Sequence, residues 1–166
     1  MNTLKRYNPV SVTLHWLTVV LMLAAGFLAD DEGGGSSPIN IHMILGALLL
    51  AVLVIRLVVR FTSKRPLWAD TGNVLLNKLG ELVHYALYLA VFFILGMGAW
   101  IAYNRNLFAY MVGTGSALRR VGFIGAIHQL GWVFALGLII AHVGAALYHQ
   151  FIIKDDLLNR MWYGRS

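Results

Sequence analysis

The stretch Val121–Ile153, VGFIGAIHQLGWVFALGLIIAHVGAALYHQFII, is apolar along most of its length and contains His128, His142 and His149. An α-helix turns by about 100° and rises by about 1.5 Å per residue. His128 and His142 would therefore lie within about 40° of the same face and about 21 Å apart along the axis. The stretch predicts a membrane-length helix with two imidazoles on one stripe, near opposite ends.

The composition is that of a membrane protein. Of the 166 residues, 59% are hydrophobic and 12% are charged, and the mean hydropathy is +0.72. A bilayer-spanning helix needs about 20 apolar residues, and four segments meet this requirement: 10–29, 39–61, 82–103 and 123–152. Backbone groups in lipid must be satisfied internally. The sequence therefore predicts one domain over residues 1–166, an all-α, integral membrane four-helix bundle.

The first apolar segment resembles a signal peptide in its basic start and small-residue end. Its apolar run of about 20 residues is longer than such peptides have, and it lacks a clear A-x-A site. It also contains His15 about one turn into the helix. We therefore interpret it as the first membrane helix.

The 13 Lys and Arg residues are distributed unevenly between the two sides of such a bundle. Arg105, Arg119 and Arg120 fall on one side, together with the acidic residues 30–32. The remaining basic residues fall on the side that contains both termini, and the positive-inside rule places that side in the cytoplasm. The net charge of +6 is thus a topology signal and not a nucleic-acid-binding surface.

The absence of cysteine excludes disulfides, iron–sulfur ligation and covalent haem attachment through CxxCH. A metal cofactor would have to depend on histidine, with methionine or carboxylate as lesser options. With each helix midpoint placed at the bilayer centre, the six histidines sort by depth into three pairs on different helices: His15 with His142, His42 with His128, and His84 with His149. A single membrane histidine could simply bond a neighbouring carbonyl. Because burying ionisable groups in lipid costs free energy, two depth-matched histidine pairs within the hydrocarbon layer indicate ligands of a metal cofactor.

A haem fits this pattern better than zinc or copper does. Those ions would need further ligands at the same depth, where neither cysteine nor carboxylate is available. A haem brings its own nitrogens and needs one or two axial ligands. Gly46, Gly131 and Gly144 lie near the histidines and offer space for a flat macrocycle, although membrane helices also pack through small residues.

Haem propionates need cationic partners near the membrane surface. Arg56 and Arg60 are candidates for an inner haem, and Arg105, Arg119 or Arg120 for an outer one. Arg56 and Arg60 could equally extend to the cytoplasmic headgroups without binding a cofactor. The sequence leaves these two interpretations open.

Several motifs follow one another along nearly the whole chain: SVTLHW at 11–16, INIHMILG at 39–46, VIRLVVR at 54–60, AYNR at 102–105, HQLG at 128–131 and AHVGAALYHQFIIKDD at 141–156. In order and spacing they resemble the bacterial cytochrome b561 family. That family is similar in turn to the cytochrome b subunits of membrane-bound hydrogenases and formate dehydrogenases.

The resemblance implies two haem b groups, each held by two histidines. It assigns the cytoplasmic haem to His15 and His142 and the outer haem to His42 and His128. It also implies a quinone close to the cytoplasmic haem, with His149 and His84 as candidate contacts. His149 could instead be an ordinary interfacial histidine.

One stand-alone member of the family is similar to a superoxide oxidase. The resemblance therefore implies a superoxide:ubiquinone oxidoreductase in the bacterial inner membrane, with electrons passing from a small anionic donor outside to a quinone inside. The cationic patch Arg105, Arg119 and Arg120 would attract such an anion.

Two other functions stay open. The chain could be the haem-bearing membrane anchor of a larger hydrogenase or dehydrogenase, although its short loops offer no obvious docking surface for a redox partner subunit. It could also be a small transporter or channel that uses its histidines as a proton relay. A colourless purified protein that moves protons would favour the transporter or channel.

Overall fold

The computed structural model describes residues 6–27, 39–64, 66–67, 69–111, 114 and 122–163. The four long helices are α1 (Pro9–Phe27), α2 (Ile39–Thr62), α3 (Val74–Asn104) and α5 (Gly122–Tyr148). Helix α5 continues into a π-helical turn, His149–Ile153. The short helices α4 (Leu107–Met111) and α6 (Leu157–Arg160) follow α3 and the π-helical turn. These ranges contain no β-strand, so the described part of the chain is all-α.

All four long helices are apolar and long enough to cross a membrane. Their outward surfaces carry large apolar side chains, such as Leu89, which is 74% exposed, and Phe123, which is 80% exposed. Soluble monomers rarely expose contiguous apolar surface of this kind, whereas lipid accommodates it. The predicted all-helical membrane bundle is confirmed.

Asparagine caps fix where two of the helices begin. The backbone N–H of Ser11 donates to Asn8 Oδ1 at 2.8 Å, and Pro9 takes the first helical position of α1. At α3, Asn73 Oδ1 accepts from the backbone N–H groups of Leu75 and Leu76 at 2.9 and 3.3 Å. These bonds satisfy N–H groups that have no partner within the helix.

The turn before α3 is held by a polar network. Asp70 Oδ1 accepts from Asn77 Nδ2 at 2.7 Å and from the Gly72 backbone N–H at 2.9 Å. These two hydrogen bonds lower the pKa of the Asp70 carboxyl below its ordinary value. Gly72 has φ 73°, a left-handed conformation that glycine adopts without steric cost.

Helix α3 therefore starts earlier than the predicted span 82–103. The amphipathic lead-in expected at 75–82 is continuous with the membrane helix, because the Asn73 cap and the Asp70 network define one uninterrupted start at Val74. His84 consequently lies well inside α3 and not near its first turn.

The long helices associate as two pairs. Helix α1 packs chiefly against α2, and α3 packs chiefly against α5, while a smaller contact joins α2 to α3. Helices α1 and α5 meet where the Trp132 ring packs directly on Gly26 and where Phe27 and Trp132 make an edge-to-face contact at 5.7 Å. Histidine side chains from α1 and α2 meet histidine side chains of α5 between the two pairs.

An apolar layer crosses the middle of the bundle. It consists of Leu21, Met22, Leu49, Leu53, Ala90, Val91 and Ala135. On α5, Ala135 stands seven residues from both His128 and His142, which corresponds to about 10 Å along the axis in each direction. The layer therefore separates the histidines into two levels.

The segment after the π-helical turn folds back onto the start of α1. Trp16 Nε1 donates to the Met161 carbonyl at 3.0 Å, and the Tyr7 backbone N–H donates to the Arg160 carbonyl at 3.1 Å. Arg160 Nη1 in turn donates to the Leu67 carbonyl, in the connection between α2 and α3, at 3.2 Å. These contacts gather three parts of the chain at one end of the bundle.

Candidate functional site

Two pairs of histidines lie between the helix pairs. The rings of His15 on α1 and His142 on α5 have centroids 6.3 Å apart. At the other level, the rings of His42 on α2 and His128 on α5 are 6.0 Å apart. The four side chains are half-buried. The structure thus brings together both pairs that the depth comparison predicted.

The spacing within each pair suits two imidazoles on opposite sides of one metal ion. A metal–imidazole bond is about 2 Å long, and the bound nitrogen lies about 1 Å from its ring centre, so the two centres would be about 6 Å apart. Neither pair is in direct hydrogen-bonding contact at this separation. The residues therefore fit axial ligation of a haem at each level.

The hydrogen bond of His42 supports this fit. His42 Nδ1 lies 2.8 Å from the carbonyl oxygen of Ala25, and because a carbonyl only accepts, Nδ1 carries the proton. The lone pair of the neutral ring is then on Nε2. Metal-binding histidines usually show this arrangement, with the second nitrogen donating to a carbonyl or carboxylate.

His15 has a different partner. Arg56 Nη2 lies 2.8 Å from His15 Nδ1, and because arginine only donates, Nδ1 accepts here and the proton of a neutral ring is on Nε2. Binding of a metal through Nε2 requires the opposite tautomer. Arg56 therefore has to release Nδ1 when His15 acts as a ligand.

Arg56 and Arg60 share an aromatic neighbour. Each guanidinium carbon lies 5.7 Å from the centre of the Tyr88 ring, within the range of a cation–π interaction. Both arginines are half-buried, on the face of α2 toward α3. Their predicted role as propionate partners stays a prediction. Tyr88 is a member of this cluster that sequence reasoning missed, and its position four residues after His84 was the available signal.

His84 lies closer to the inner pair than predicted. Its ring centroid is 4.8 Å from that of His142, in an edge-to-face arrangement, whereas depth had paired it with His149. The early start of α3 accounts for the difference. His84 Nδ1 donates to the Gly80 carbonyl at 2.7 Å, one turn back along the same helix.

His149 and Asp155 form a second cluster near the end of α5. His149 Nδ1 lies 2.8 Å from Asp155 Oδ2, and Arg160 Nη2 lies 3.9 Å from the same oxygen. His149 is only 8% exposed and, with Thr18, is one of the two polar residues that are buried in the described part of the chain. Sequence reasoning singled out His149 but missed Asp155, the first carboxylate after the helix.

The glycines near the histidines differ in the space around them. A Cβ added at Gly46 or Gly144 would have no heavy atom within 4 Å, so both leave open space beside the ligand helices. At Gly131 a Cβ would lie 3.0 Å from Ile94 Cγ1. Gly131 therefore permits a close contact between α3 and α5 at Ile94.

The predicted outer cationic patch is described only at Arg105. This residue is exposed, in the turn between α3 and α4, and its backbone N–H bonds to the Ile101 carbonyl at 3.0 Å. Arg119 and Arg120 lie outside the described residues.

An apolar cavity of about 410 Å³ lies between α3 and α5. Its lining consists of Ala90, Phe93, Ile127, Leu130, Gly131 and Phe134. None of these side chains can bind a metal or transfer a proton.

Comparison with known proteins shows the family of the chain. The family described as prokaryotic cytochrome b561 matches residues 6–164. Cytochrome b561 homolog 2 of Escherichia coli (strain K12) is 30% identical over 96% of this chain and 93% of its own length. Cytochrome b561 homolog 1 of the same organism is 26% identical over 95% and 97%.

A more distant relative has an activity in its name. The probable superoxide oxidase CybB of Yersinia pestis is 22% identical over 95% of this chain and 96% of its own length. The family match and the four apolar helices together identify the class of protein and its location. The chain belongs to the prokaryotic cytochrome b561 family and is a multi-pass, haem b-binding electron-transfer protein of the bacterial inner membrane.

Proposed function

We propose that this cytochrome b binds two haem groups, one at each histidine level, and transfers electrons from a periplasmic donor to a membrane quinone near the cytoplasmic face. The observation that supports the proposal is the two histidine pairs between the helix pairs, with ring centres 6.3 and 6.0 Å apart. Bound haem supplies reversible one-electron chemistry, which no side chain of this protein could supply.

The chain's own residues would hold the two groups in different ways. His42 and His128 are the proposed ligands at the outer level, where the bond from His42 Nδ1 to Ala25 already orients the ring. His15 and His142 are the proposed ligands at the inner level. There Arg56, once released from His15, would be available with Arg60 to bind propionate oxygens. The single domain thus has one cofactor near each membrane surface.

Both termini are proposed to lie in the cytoplasm, as the distribution of basic residues predicts. The inner histidine level, the Arg56–Arg60 cluster and the His149–Asp155 cluster then all lie toward the cytoplasmic face. Arg105 lies toward the periplasm. This orientation fits electron transfer inward across the membrane.

A quinone is proposed to bind beside the inner level, where it would contact His149 or His84. His149 is the stronger candidate, because it follows His142 by seven residues, at the start of the π-helical turn, and is hydrogen-bonded to a carboxylate. His84 Nδ1 is engaged by a backbone carbonyl, and its ring is packed edge-to-face against His142. Its proposed contribution is to shape the site around that ligand.

Superoxide is the proposed donor, on the name of the Yersinia pestis relative and on the exposed Arg105. The balanced reaction oxidises two superoxide ions to two O2 and reduces one quinone to quinol with two protons. A cationic surface raises the local concentration of such an anion. The alternative, a haem-bearing anchor of a larger dehydrogenase, is favoured if a peripheral subunit co-purifies.

Haem content in single variants tests the ligand assignment. We expect two haems per chain in the wild type and loss of one in each of four variants, His15→Ala, His142→Ala, His42→Ala and His128→Ala. The first two variants should share one residual spectrum and the last two another. His84→Ala is the matched control, since His84 is closer to His142 than His15 is. Two intact haems in His15→Ala together with a lost haem in His84→Ala would show that the inner pairing is wrong.

The donor is tested with the purified protein in liposomes that contain ubiquinone. Superoxide generated outside oriented vesicles should produce quinol, and the product should disappear when superoxide dismutase is added. Reduction of the haems by superoxide without quinol formation would refute the oxidase function while leaving the dihaem assignment in place.

A further inference from the structure

The cluster at the end of α5 has a defined geometry that the ligand assignments do not explain. His149 Nδ1 and Asp155 Oδ2 are 2.8 Å apart, and the imidazole donates this bond because an ionised carboxylate only accepts. The other carboxylate oxygen, Oδ1, accepts from the Leu157 backbone N–H at 3.2 Å. Asp155 is thus held at both oxygens with one oxygen directed at the buried ring.

The backbone of this region is shaped to bring the two residues together. In the π-helical turn the Lys154 N–H donates to the His149 carbonyl at 2.7 Å, and the Asp155 N–H reaches the same carbonyl at 3.4 Å. Lys154 has φ 60°, in the left-handed region that a side chain adopts at a cost. Single π-helical turns within helices are frequent at functional sites.

Exposure increases along the cluster from the protein interior toward solvent. The side chain of His149 is 10% exposed, that of Asp155 is 18% exposed and that of Arg160 is 24% exposed. Asp155 therefore connects a buried imidazole to the aqueous side of the membrane. The Arg160 guanidinium, 3.9 Å from the carboxylate, also bonds the Leu67 carbonyl and so has a fixed position.

We propose that Asp155 is a positioning residue that orients His149 through the bond at Nδ1 and balances the charge of its protonated ring, so that the ring donates protons during quinone reduction; the inference rests on the proposed function. Quinone takes up two electrons from the donor and two protons from water to give quinol. His149 donates a proton from Nε2 to a quinone oxygen, forming an O–H bond as the N–H bond breaks, and it keeps its Nδ1 proton in the bond to Asp155. Nε2 then takes up the next proton from water on the cytoplasmic side before the second transfer.

The test is Asp155→Asn, compared with Asp156→Asn. Asparagine keeps the shape and an acceptor oxygen but lacks the negative charge that balances the protonated ring. Asp156 is the matched control, because it has the same charge at the adjacent position and bonds Asn159 Nδ2 at 3.2 Å instead of a histidine. Its φ of 56° is also well suited to asparagine.

We expect Asp155→Asn to lower kcat for quinol formation by about 100-fold, as removal of a general acid–base step does. The KM for quinone should stay within about twofold, because the contact with His149 is kept. Haem spectra and the rate of haem reduction by the donor should match those of the wild type. Asp156→Asn should behave as the wild type in all four measurements, and proton uptake, followed with a pH-sensitive dye, should slow only in Asp155→Asn.

A second variant, Asp155→Glu, keeps the negative charge and an acceptor on a longer side chain, and we expect it to recover at least about a tenth of the wild-type kcat. Equal kcat in Asp155→Asn and Asp156→Asn would overturn the inference while wild-type quinol formation left the proposed function standing. Loss of haem in Asp155→Asn, or a Glu variant as slow as the Asn variant, would also overturn it, since Asp155 would then only hold the chain in place. A wild type that makes no quinol would refute the proposed function itself.

Discussion

The close approach of Gly98 to the proposed outer ligand gives a prediction that couples packing to cofactor binding. A Cβ at Gly98 would lie 3.2 Å from His128 Cε1, 3.8 Å from Nδ1 and 4.0 Å from Nε2. At Gly96, on the same helix, an added Cβ would meet nothing within 4 Å. Gly98→Ala and Gly96→Ala therefore add the same methyl group. The methyl group at position 98 would contact His128, and the one at position 96 would not.

The magnitude follows from the overlap. Carbon atoms in good contact lie about 3.5–4.0 Å apart, so the His128 ring would have to move by a few tenths of an ångström or more. Both substitutions gain up to about 1 kcal/mol from alanine's higher helix propensity. Overpacking of this kind costs about 1–3 kcal/mol and applies only to Gly98→Ala. For a chain of this length, the two variants should differ in Tm by roughly 2–12 °C.

Thermal unfolding of the haem-loaded protein in detergent measures this difference, and the visible spectrum reports the haem proposed at the outer level. We expect Gly98→Ala to alter the low-spin signal of one haem and Gly96→Ala to alter neither. In a His128→Ala background the ring is gone, so the two alanine variants should have the same Tm. A persistent difference in that background, or equal stability in the wild-type background, would refute the reasoning.

Three further predictions concern the ends and the interior of the helices. Asn73→Ala should lower the free energy of unfolding by about 1 kcal/mol because it removes the cap of α3, and thermal denaturation measures this. Trp16→Phe should cost a similar ~1 kcal/mol through loss of the bond to the Met161 carbonyl, and limited proteolysis should then cleave the C-terminal segment faster. Gly46→Leu places a side chain in open space, so it should reduce haem content, measured by absorbance, while helicity measured by circular dichroism stays unchanged. Full haem occupancy in that variant would show that Gly46 provides no space for the macrocycle.

Much of the fold could be predicted from sequence because the bilayer imposes simple rules. Length and apolarity are sufficient to identify each membrane-spanning segment. Because its backbone N–H and C=O groups must form hydrogen bonds within the segment in lipid, each such segment should be a helix. The start of α3 was not predictable in the same way. It depends on Asn73 and the Asp70 network, whose polar bonds extend a helix beyond its apolar residues.

The histidine pairs could be anticipated from depth alone, since a helix converts residue number into height with little error. Lateral position is a different matter, because the distance between helices depends on packing that no periodicity encodes. The depth of His84 was misjudged for a separate reason: α3 begins earlier than predicted, and the His84 ring meets His142 instead of pairing with His149. The partners of polar atoms, such as Arg56 on His15 and Asp155 on His149, were equally inaccessible to sequence reasoning.

The pairing of the helices has a consequence for assembly. With the ligands as proposed, the α1–α2 half contributes His15 and His42, and the α3–α5 half contributes His142 and His128, so each half has one side of both sites. A chain cut within the connection between α2 and α3 would give two fragments. Neither fragment would contain both proposed histidine ligands of either haem. Joint expression of the fragments should restore a red membrane protein, in which the haems hold the two fragments together.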